Sequence, residues 1–207
     1  MTTTVHLVRH VPHEHQGRIQ VGRMGGVSVA EGSPARFAAL GRRFAREDLA
    51  AVYASPIDRT QQTAHAIADP AGLTVQTRED LNEIDVGEWT GRTFDDIKSD
   101  PTYENWNSSR SLARCPGGES MLEVQVRMLR WLEMVRSDHP DQTVAAVSHG
   151  DPIKSVLLYL LGLPLDAYDR VEIEPASVST VVVGGVLDPW GAKLIRLNEP
   201  SSEIPTE

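Results

Sequence analysis

The sequence predicts an α/β layer fold built on a mostly parallel sheet. Two observations carry that expectation. Short β-branched runs alternate along the chain with longer segments whose apolar residues recur at helical spacing. The run Thr143–Val147 is apolar almost throughout, as expected of a strand covered on both faces.

The elements follow in order. Val5–Val8 is short, β-branched and bounded by polar residues, and reads as the first strand. Residues 11–32 are rich in Gly, His and polar groups and read as a long loop, a feature often functional in compact domains. Helical spacing then runs from Ser33 to Glu47, with Ser33 as N-cap and Pro34 in the first turn. Ala51–Ala54 is a second strand. Ser55 and Pro56 open a helix that runs to about Ala68 and stops at Asp69-Pro70. Leu73–Gln76 is a third strand.

Residues 81–114 mix Gly, Trp, Asp and Asn with little periodicity. They read as an irregular insertion above the sheet, with one short helix near Phe94–Lys98. After the break at Gly117-Gly118, Glu119–Ser137 is the longest amphipathic helix, with Met121, Leu122, Val124, Met128, Leu129, Leu132 and Val135 on its apolar stripe. Pro152–Leu161 is the helix after the buried strand and ends at Gly162. Val178–Val183 and Lys193–Leu197 are two late strands, read as an antiparallel pair joined through Gly184–Gly191. The last ten residues are polar with two prolines and read as a loose tail. The expected domain is 1–200, with a cap insertion at about 84–117 and residues 201–207 as tail.

A chain of 207 residues can bury a substantial core without crosslinks. Lys and Arg total 20 against 29 Asp and Glu, a net charge of -9. That balance disfavours a nucleic-acid or anionic-membrane binder, which needs a basic face. It leaves open a small anion in a cationic pocket. The single cysteine, Cys115, excludes an internal disulfide and a Cys-based zinc site. Met1–Val5 has no basic or apolar leader segment, and Val156–Leu165 is too short and interrupted to span a bilayer. A soluble cytoplasmic protein is expected.

Three strand ends carry the chemistry. Arg9-His10 follows the first strand, Ser55-Pro56-Ile57-Asp58-Arg59-Thr60 the second, and Ser148-His149-Gly150 the buried one. Ligands of open α/β sheets bind beyond the carboxyl ends of the strands. Each dipeptide alone is unremarkable, and Arg59 alone reads as a solvated helix residue. Together they place two imidazoles and two guanidinium groups at one edge. Guanidinium groups bind phosphate oxygens bidentately. A neutral imidazole can attack phosphorus and form phosphohistidine. The second can donate to the developing charge. A leaving alkoxide needs a proton, and Glu83, Asp85 and Glu88 offer three carboxylates.

Val8-Arg9-His10, Ser55–Thr60, Leu81-Asn82-Glu83 through Gly87–Gly91, Pro116–Ser120 and Ser148-His149-Gly150 together resemble the histidine phosphatase superfamily, which includes the cofactor-dependent phosphoglycerate mutases. The matches come in order and span roughly residues 5–183. The resemblance implies a doubly wound, mostly parallel sheet flanked by helices, with a small helical cap. It implies His10 as nucleophile, Arg9, Arg59 and His149 as holders of the phosphoryl group, and Glu83 as proton donor and later base. It implies no metal, and no cofactor is expected. Two positions depart from the pattern: Val11 stands where glycine usually follows the nucleophile, and Gln16 where an Asn often contacts phosphate. Gln16, Arg18 and Gly150 are the expected substrate-binding residues, with Arg23 a further loop arginine.

Other features read more plainly. His6, His10, His13 and His15 match no metal-ligand spacing. Trp131 reads as core and Trp106 as a cavity residue, while Glu119 reads equally as a helix-dipole partner or a substrate contact. The leading expectation is a phosphomonoesterase acting through phosphohistidine on a small phosphorylated metabolite. The alternatives are a phosphoglycerate-type phosphomutase and a weakly active phospho-ligand binder, the latter motivated by Val11 and Gln16. Val178–Val183 reads either as a homodimer edge or as closure of the sheet.

Overall fold

The computed structural model describes residues 1–184 and 191–201. In chain order its elements are β1 (Thr2–Arg9), α1 (Ser33–Phe44), β2 (Leu49–Ala54), α2 (Asp58–Ala68), β3 (Val75–Thr77), α3 (Phe94–Ile97), α4 (Pro101–Ser108), α5 (Met121–Asp138), β4 (Thr143–Ser148), α6 (Gly150–Leu160), β5 (Val178–Gly184) and β6 (Ala192–Glu199). The strands form one sheet in the order β3-β2-β4-β1-β5-β6. β1, β2, β3 and β4 run parallel, while β5 runs antiparallel to both β1 and β6.

The period of two along each strand sends alternate side chains to two hydrophobic layers. On β4, Val144 and Ala146 join the layer of α5 and α6, with Val124, Met128, Trp131 and Leu157. Ala145 and Val147 join the layer of α1 and α2, with Leu40, Phe44, Ala64 and Ile67. This two-sided cover explains the unbroken apolar run. Each fully buried Val or Leu contributes about 1.5–3 kcal/mol. β1 and β4 are neighbours whose following helices, α1 and α6, lie on opposite faces. That is a topological switch point, and a crevice opens beyond the carboxyl ends of the two strands.

Several boundaries differ from expectation for local reasons. Gly32, not Ser33, caps α1, because the Ser33 hydroxyl is turned inward to donate to the Pro12 carbonyl at 3.3 Å. α1 stops at Phe44, short of Glu47. α2 begins at Asp58, leaving Ser55 and Pro56 in the turn above the sheet. The third strand is Val75–Thr77, not Leu73–Gln76. The insertion contains a second helix, α4, whose N-cap Asp100 accepts from the Thr102 amide at 2.9 Å. Its only buried residue is Trp106, so it carries no helical period to read. A 3₁₀ segment at Leu165–Arg170 was likewise not expected.

α5 begins after Ser120, which forms a capping box with Glu123. Val178–Val183 is not an edge: β5 is paired on both sides, and β6 forms that edge of the sheet. β6 runs to Glu199, so Asn198 and Glu199 belong to the strand and not to a tail. The loop expected between Gly184 and Gly191, and residues 202–207 of the expected tail, lie outside the described residues. Among the described residues no helix is long and apolar enough to cross a membrane.

Candidate active site

The parallel register pairs Arg9 of β1 with Ser148 of β4, so the next residues, His10 and His149, emerge side by side. Their ring centroids are 5.1 Å apart. Arg59 reaches the same point from the first turn of α2. The three strand ends line a cavity of about 300 Å³.

His10 is buried, and its Nδ1 lies 2.6 Å from the Val11 carbonyl. A carbonyl only accepts, so Nδ1 carries the proton and Nε2 the lone pair. Nε2 meets Arg59 Nε at 3.2 Å. Burial first, then the charges of Arg59 and Arg9, hold the imidazole pKa well below its usual value. His10 is therefore a neutral imidazole with its free nitrogen toward the two arginines. Val11 replaces glycine without strain. It is absent from the left-handed backbone region, and its side chain is buried in the α1–α2 layer.

Arg59 is 1% exposed; its Nη2 donates to the Gly22 carbonyl at 2.8 Å and to His149 Nδ1 at 3.2 Å, while its Nη1 has no partner. Arg9 is held by a bond from Nη1 to the Ile173 carbonyl, and its buried Nε also has no partner. Leaving such donors unpaired costs about 1–3 kcal/mol each. Both arginines line the cavity together with His10. Gly150 opens α6 against Arg9: a Cβ there would lie 3.4 Å from the guanidinium carbon.

His149 is also buried and held neutral, by burial first and then by Arg59. Its Nε2 lies 3.0 Å from Ser55 Oγ, which donates to Asn82 Oδ1 at 3.0 Å. Ser148 Oγ donates to the Leu81 carbonyl at 2.7 Å. These bonds fasten residues 81–82 to the sheet and so bring Glu83 over the cavity. Glu83 Oε1 accepts from the Ile84 amide at 2.9 Å, leaving Oε2 3.9 Å from His149 Nδ1. Burial first, then the negative charge of Asp151, raises the Glu83 pKa to about 7. The Glu83 carbonyl accepts from Arg23 Nε at 2.8 Å and Arg127 Nη2 at 3.2 Å. Glu119 ties both arginines together, with Oε2 at 2.8 Å from Arg23 and 3.2 Å from Arg127. The role of Glu119 is thus to hold the Glu83 segment, which neither reading from the sequence anticipated.

Gln16 and Gly150 line the cavity, as does Trp106. Arg18 does not: its guanidinium folds back to donate to the Glu14 carbonyl at 2.6 Å, and it is exposed. Arg23 is spent on Glu83 and Glu119. Asp85 accepts from the Gly87 amide at 2.9 Å and Glu88 is exposed, so neither competes with Glu83. Trp131 is in the core. Among the described residues no group of three or more His, Cys, Asp or Glu is arranged to hold a metal ion.

Sequence reasoning missed His13, Arg110, Asp151, Lys154 and Tyr168, which also line the cavity. His13 is buried with an unpartnered Nδ1, and burial followed by the charge of Arg59 lowers its pKa to about 4. One signal was available for Asp151 and Lys154. They are the charged residues of an otherwise apolar helix, and a charge in such a helix needs a partner.

Comparison with known proteins identifies the family and the fold. A sequence profile of the histidine phosphatase superfamily (branch 1) matches residues 5–196. Phosphoserine phosphatase 1 of Hydrogenobacter thermophilus is 32% identical over 180 residues, 84% of each chain. A probable phosphoglycerate mutase, GpmB, of Yersinia pestis is 34% identical over 144 residues, 68% of this chain and 66% of its own. In three dimensions, Bacillus stearothermophilus YhfR superposes with a TM-score of 0.87 at 26% identity, covering 95% of this chain and 97% of its own. A mycobacterial glucosyl-3-phosphoglycerate phosphatase superposes with a TM-score of 0.83 at 22% identity, covering 96% of this chain and all of its own. With the profile spanning nearly the whole chain and the doubly wound fold shared, the chain belongs to branch 1 of the histidine phosphatase superfamily, phosphoric monoester hydrolases that need no metal.

Proposed function

We propose that the chain is a phosphomonoesterase that acts on a small phosphorylated metabolite through a phosphohistidine at His10 Nε2. The observation that carries the reading is the pair of unpartnered buried guanidinium N–H groups, on Arg9 and Arg59, beside a neutral His10. The phosphoryl oxygens take up those donors, and Nε2 attacks phosphorus in line. Arg59 then exchanges its bond to Nε2 for bonds to phosphate. His149 stays neutral and, through the bond its Nδ1 accepts from Arg59 Nη2, helps to hold that guanidinium toward the transferring group.

The P–O bond to the alcohol breaks as the P–N bond forms. Glu83, protonated up to about pH 7, gives its proton to the departing oxygen. The resulting carboxylate then takes a proton from water, which attacks the phosphohistidine and releases phosphate. His10 and Glu83 return to their starting forms.

Phosphate release from an aryl phosphate, in the presence of a chelator, tests the reading. Wild type turns over, and His10→Ala loses essentially all activity. Glu83→Gln loses about 10²–10⁴-fold on an alkyl phosphate. Turnover that survives in His10→Ala overturns the assignment. The phosphatase name of the Hydrogenobacter relative supports hydrolysis. The mutase name of the Yersinia relative supports phosphoryl return to another oxygen, and isomerised phosphoglycerate without free phosphate would establish that outcome.

A further inference from the structure

The carboxyl end of β1, where Arg9 and His10 stand, is held from two sides. On one side is β4, whose Ser148 carbonyl accepts from the His10 amide at 3.0 Å. On the other is the segment 173–177, which leads into β5. The Arg9 amide donates to the Ser177 carbonyl at 3.1 Å. The Ala176 amide is shared between the carbonyls of Arg9 and His10, at 3.1 and 3.0 Å. The Arg9 guanidinium donates through Nη1 to the Ile173 carbonyl. One short segment thus fixes the backbone of both residues and the guanidinium of one.

That segment holds a strained turn. The Ser177 amide donates to the Glu174 carbonyl at 3.1 Å and closes a β-turn with Pro175 second and Ala176 third. Ala176 has a φ of +62°, at a turn position that favours glycine. Such a conformation persists only where its surroundings over-determine it. The bonds to Arg9 and His10 and burial in the α1–α2 layer do so from within. From outside, Asn198 of β6 accepts from the Glu174 amide through Oδ1 at 2.6 Å. Arg36, an exposed residue, adds a longer bond from Nη1 to the Pro175 carbonyl, at 3.2 Å. Asn198 is itself left-handed, with a φ of +53°, and its amide donates to Ser179 Oγ at 3.0 Å. Asparagine tolerates that backbone and carries a short side-chain acceptor, and both properties are used here.

We propose that Asn198 is a positioning residue: it locks the 174–177 turn, and the turn sets Arg9 and His10 for the phosphoryl group. The proposal rests on the roles in phosphoryl transfer given above to Arg9 and His10. Asn198→Gly tests it, because glycine accepts the left-handed backbone and only the side-chain acceptor is lost. Asn198→Asp is the conservative partner, since aspartate keeps both the acceptor and the backbone tolerance. The readout is the inhibition constant of inorganic phosphate against p-nitrophenyl phosphate, with kcat/KM beside it. An inhibition constant does not depend on the fraction of chain that is folded, so a merely structural role leaves it unmoved. Asn198→Gly should raise it by about fivefold or more, the weight of one hydrogen bond. It should lower kcat/KM on aryl and alkyl phosphates alike, because Arg9 and His10 serve both. Asn198→Asp should return both quantities to within about twofold of wild type.

An inhibition constant in Asn198→Gly within about twofold of wild type overturns the proposal, whatever the stability of the variant. So does a raised constant that Asn198→Asp fails to restore. Wild type and His10→Ala, assayed alongside, separate the two failures. If wild type shows no His10-dependent hydrolysis, the phosphatase reading falls and the positioning role with it. If it does and the constant is unmoved in Asn198→Gly, only the positioning role falls.

Discussion

Arg59 Nε donates to His10 Nε2 at 3.2 Å, so the proposed nucleophile and the proposed phosphate ligand are bonded to each other before substrate arrives. The contact engages the His10 Nε2 lone pair until Arg59 exchanges it for bonds to phosphate. It also means that one planar group must serve His10, His149 and the Gly22 carbonyl together. A lysine has a single ammonium and cannot span those partners. Arg59→Lys should therefore lower kcat by about 10²–10³-fold, the range for loss of a charge-stabilising donor. Steady-state phosphate release measures it, and a kcat within threefold of wild type would show that the guanidinium is dispensable.

The titrations of Glu83 and His10 fix the direction of the pH profile. Burial and then Asp151 raise the Glu83 pKa to about 7, so the acid form prevails below that pH. His10 stays neutral to well below its usual value, chiefly through burial. Turnover of an alkyl phosphate should hold level in mildly acidic solution and fall above about pH 7. For p-nitrophenyl phosphate, whose leaving group needs no proton, the fall should be much weaker. The same shift has a sign for folding. Between the ordinary value of 4.5 and about 7, the folded chain retains a proton that the unfolded chain releases. The contribution of Glu83 to stability is thus full below pH 4.5 and is lost as pH rises through that window. Denaturant titrations of wild type and Glu83→Gln across pH 4–8 would reveal the slope and its removal.

Glu119 gathers Arg23, Arg127 and the Asp85 amide, and the two arginines grip the Glu83 carbonyl. The pair with Arg127 is mostly shielded, with side chains 15% and 21% exposed. Glu119→Ala should cost about 1.5–3 kcal/mol of stability, the range for a hydrogen bond to a charged group. It should also slow alkyl phosphates more than p-nitrophenyl phosphate, because only the former need Glu83 well placed. Equal slowing of both would assign Glu119 a purely structural role.

The strand-end motifs made four of the five proposed site residues legible from the sequence. Arg9, His10, Arg59 and His149 sit where parallel strands end, so knowing the strands is enough to bring them together. Glu83 needed the family pattern, since residues 81–114 have no period that would locate it. Arg110 and Tyr168 were beyond reach. They meet through a stack that joins the turn after α4 to a 3₁₀ segment 58 residues later, which only tertiary packing creates. Arg18 was misleading because a loop arginine and a binding arginine look the same until the backbone shows which carbonyl is closer.

The crossing of two loops beneath Glu83 sets the last expectation. The Glu88 amide donates to the Pro116 carbonyl at 2.9 Å, and the Glu119 amide to the Asp85 carbonyl at 2.8 Å. Glycine permits that approach. A Cβ on Gly118 would lie 2.2 Å from the Asp85 carbonyl oxygen, and one on Gly87 2.0 Å from that of Pro116. Both obstacles are backbone atoms that cannot rotate away, so the loops must part. Gly87 carries a second constraint, a φ of +53° that disfavours any side chain. Gly118→Ala should then break the Glu119–Asp85 bond and displace Glu83, whose backbone lies two residues before Asp85. Overpacking of this kind costs about 1–3 kcal/mol. The activity loss should follow the Glu119→Ala pattern, greater on alkyl phosphates than on p-nitrophenyl phosphate. Denaturation midpoints and the two rates measured on one preparation decide it. A Gly118→Ala chain with wild-type stability and wild-type turnover of both substrates would mean that the crossing is not what holds Glu83 in place.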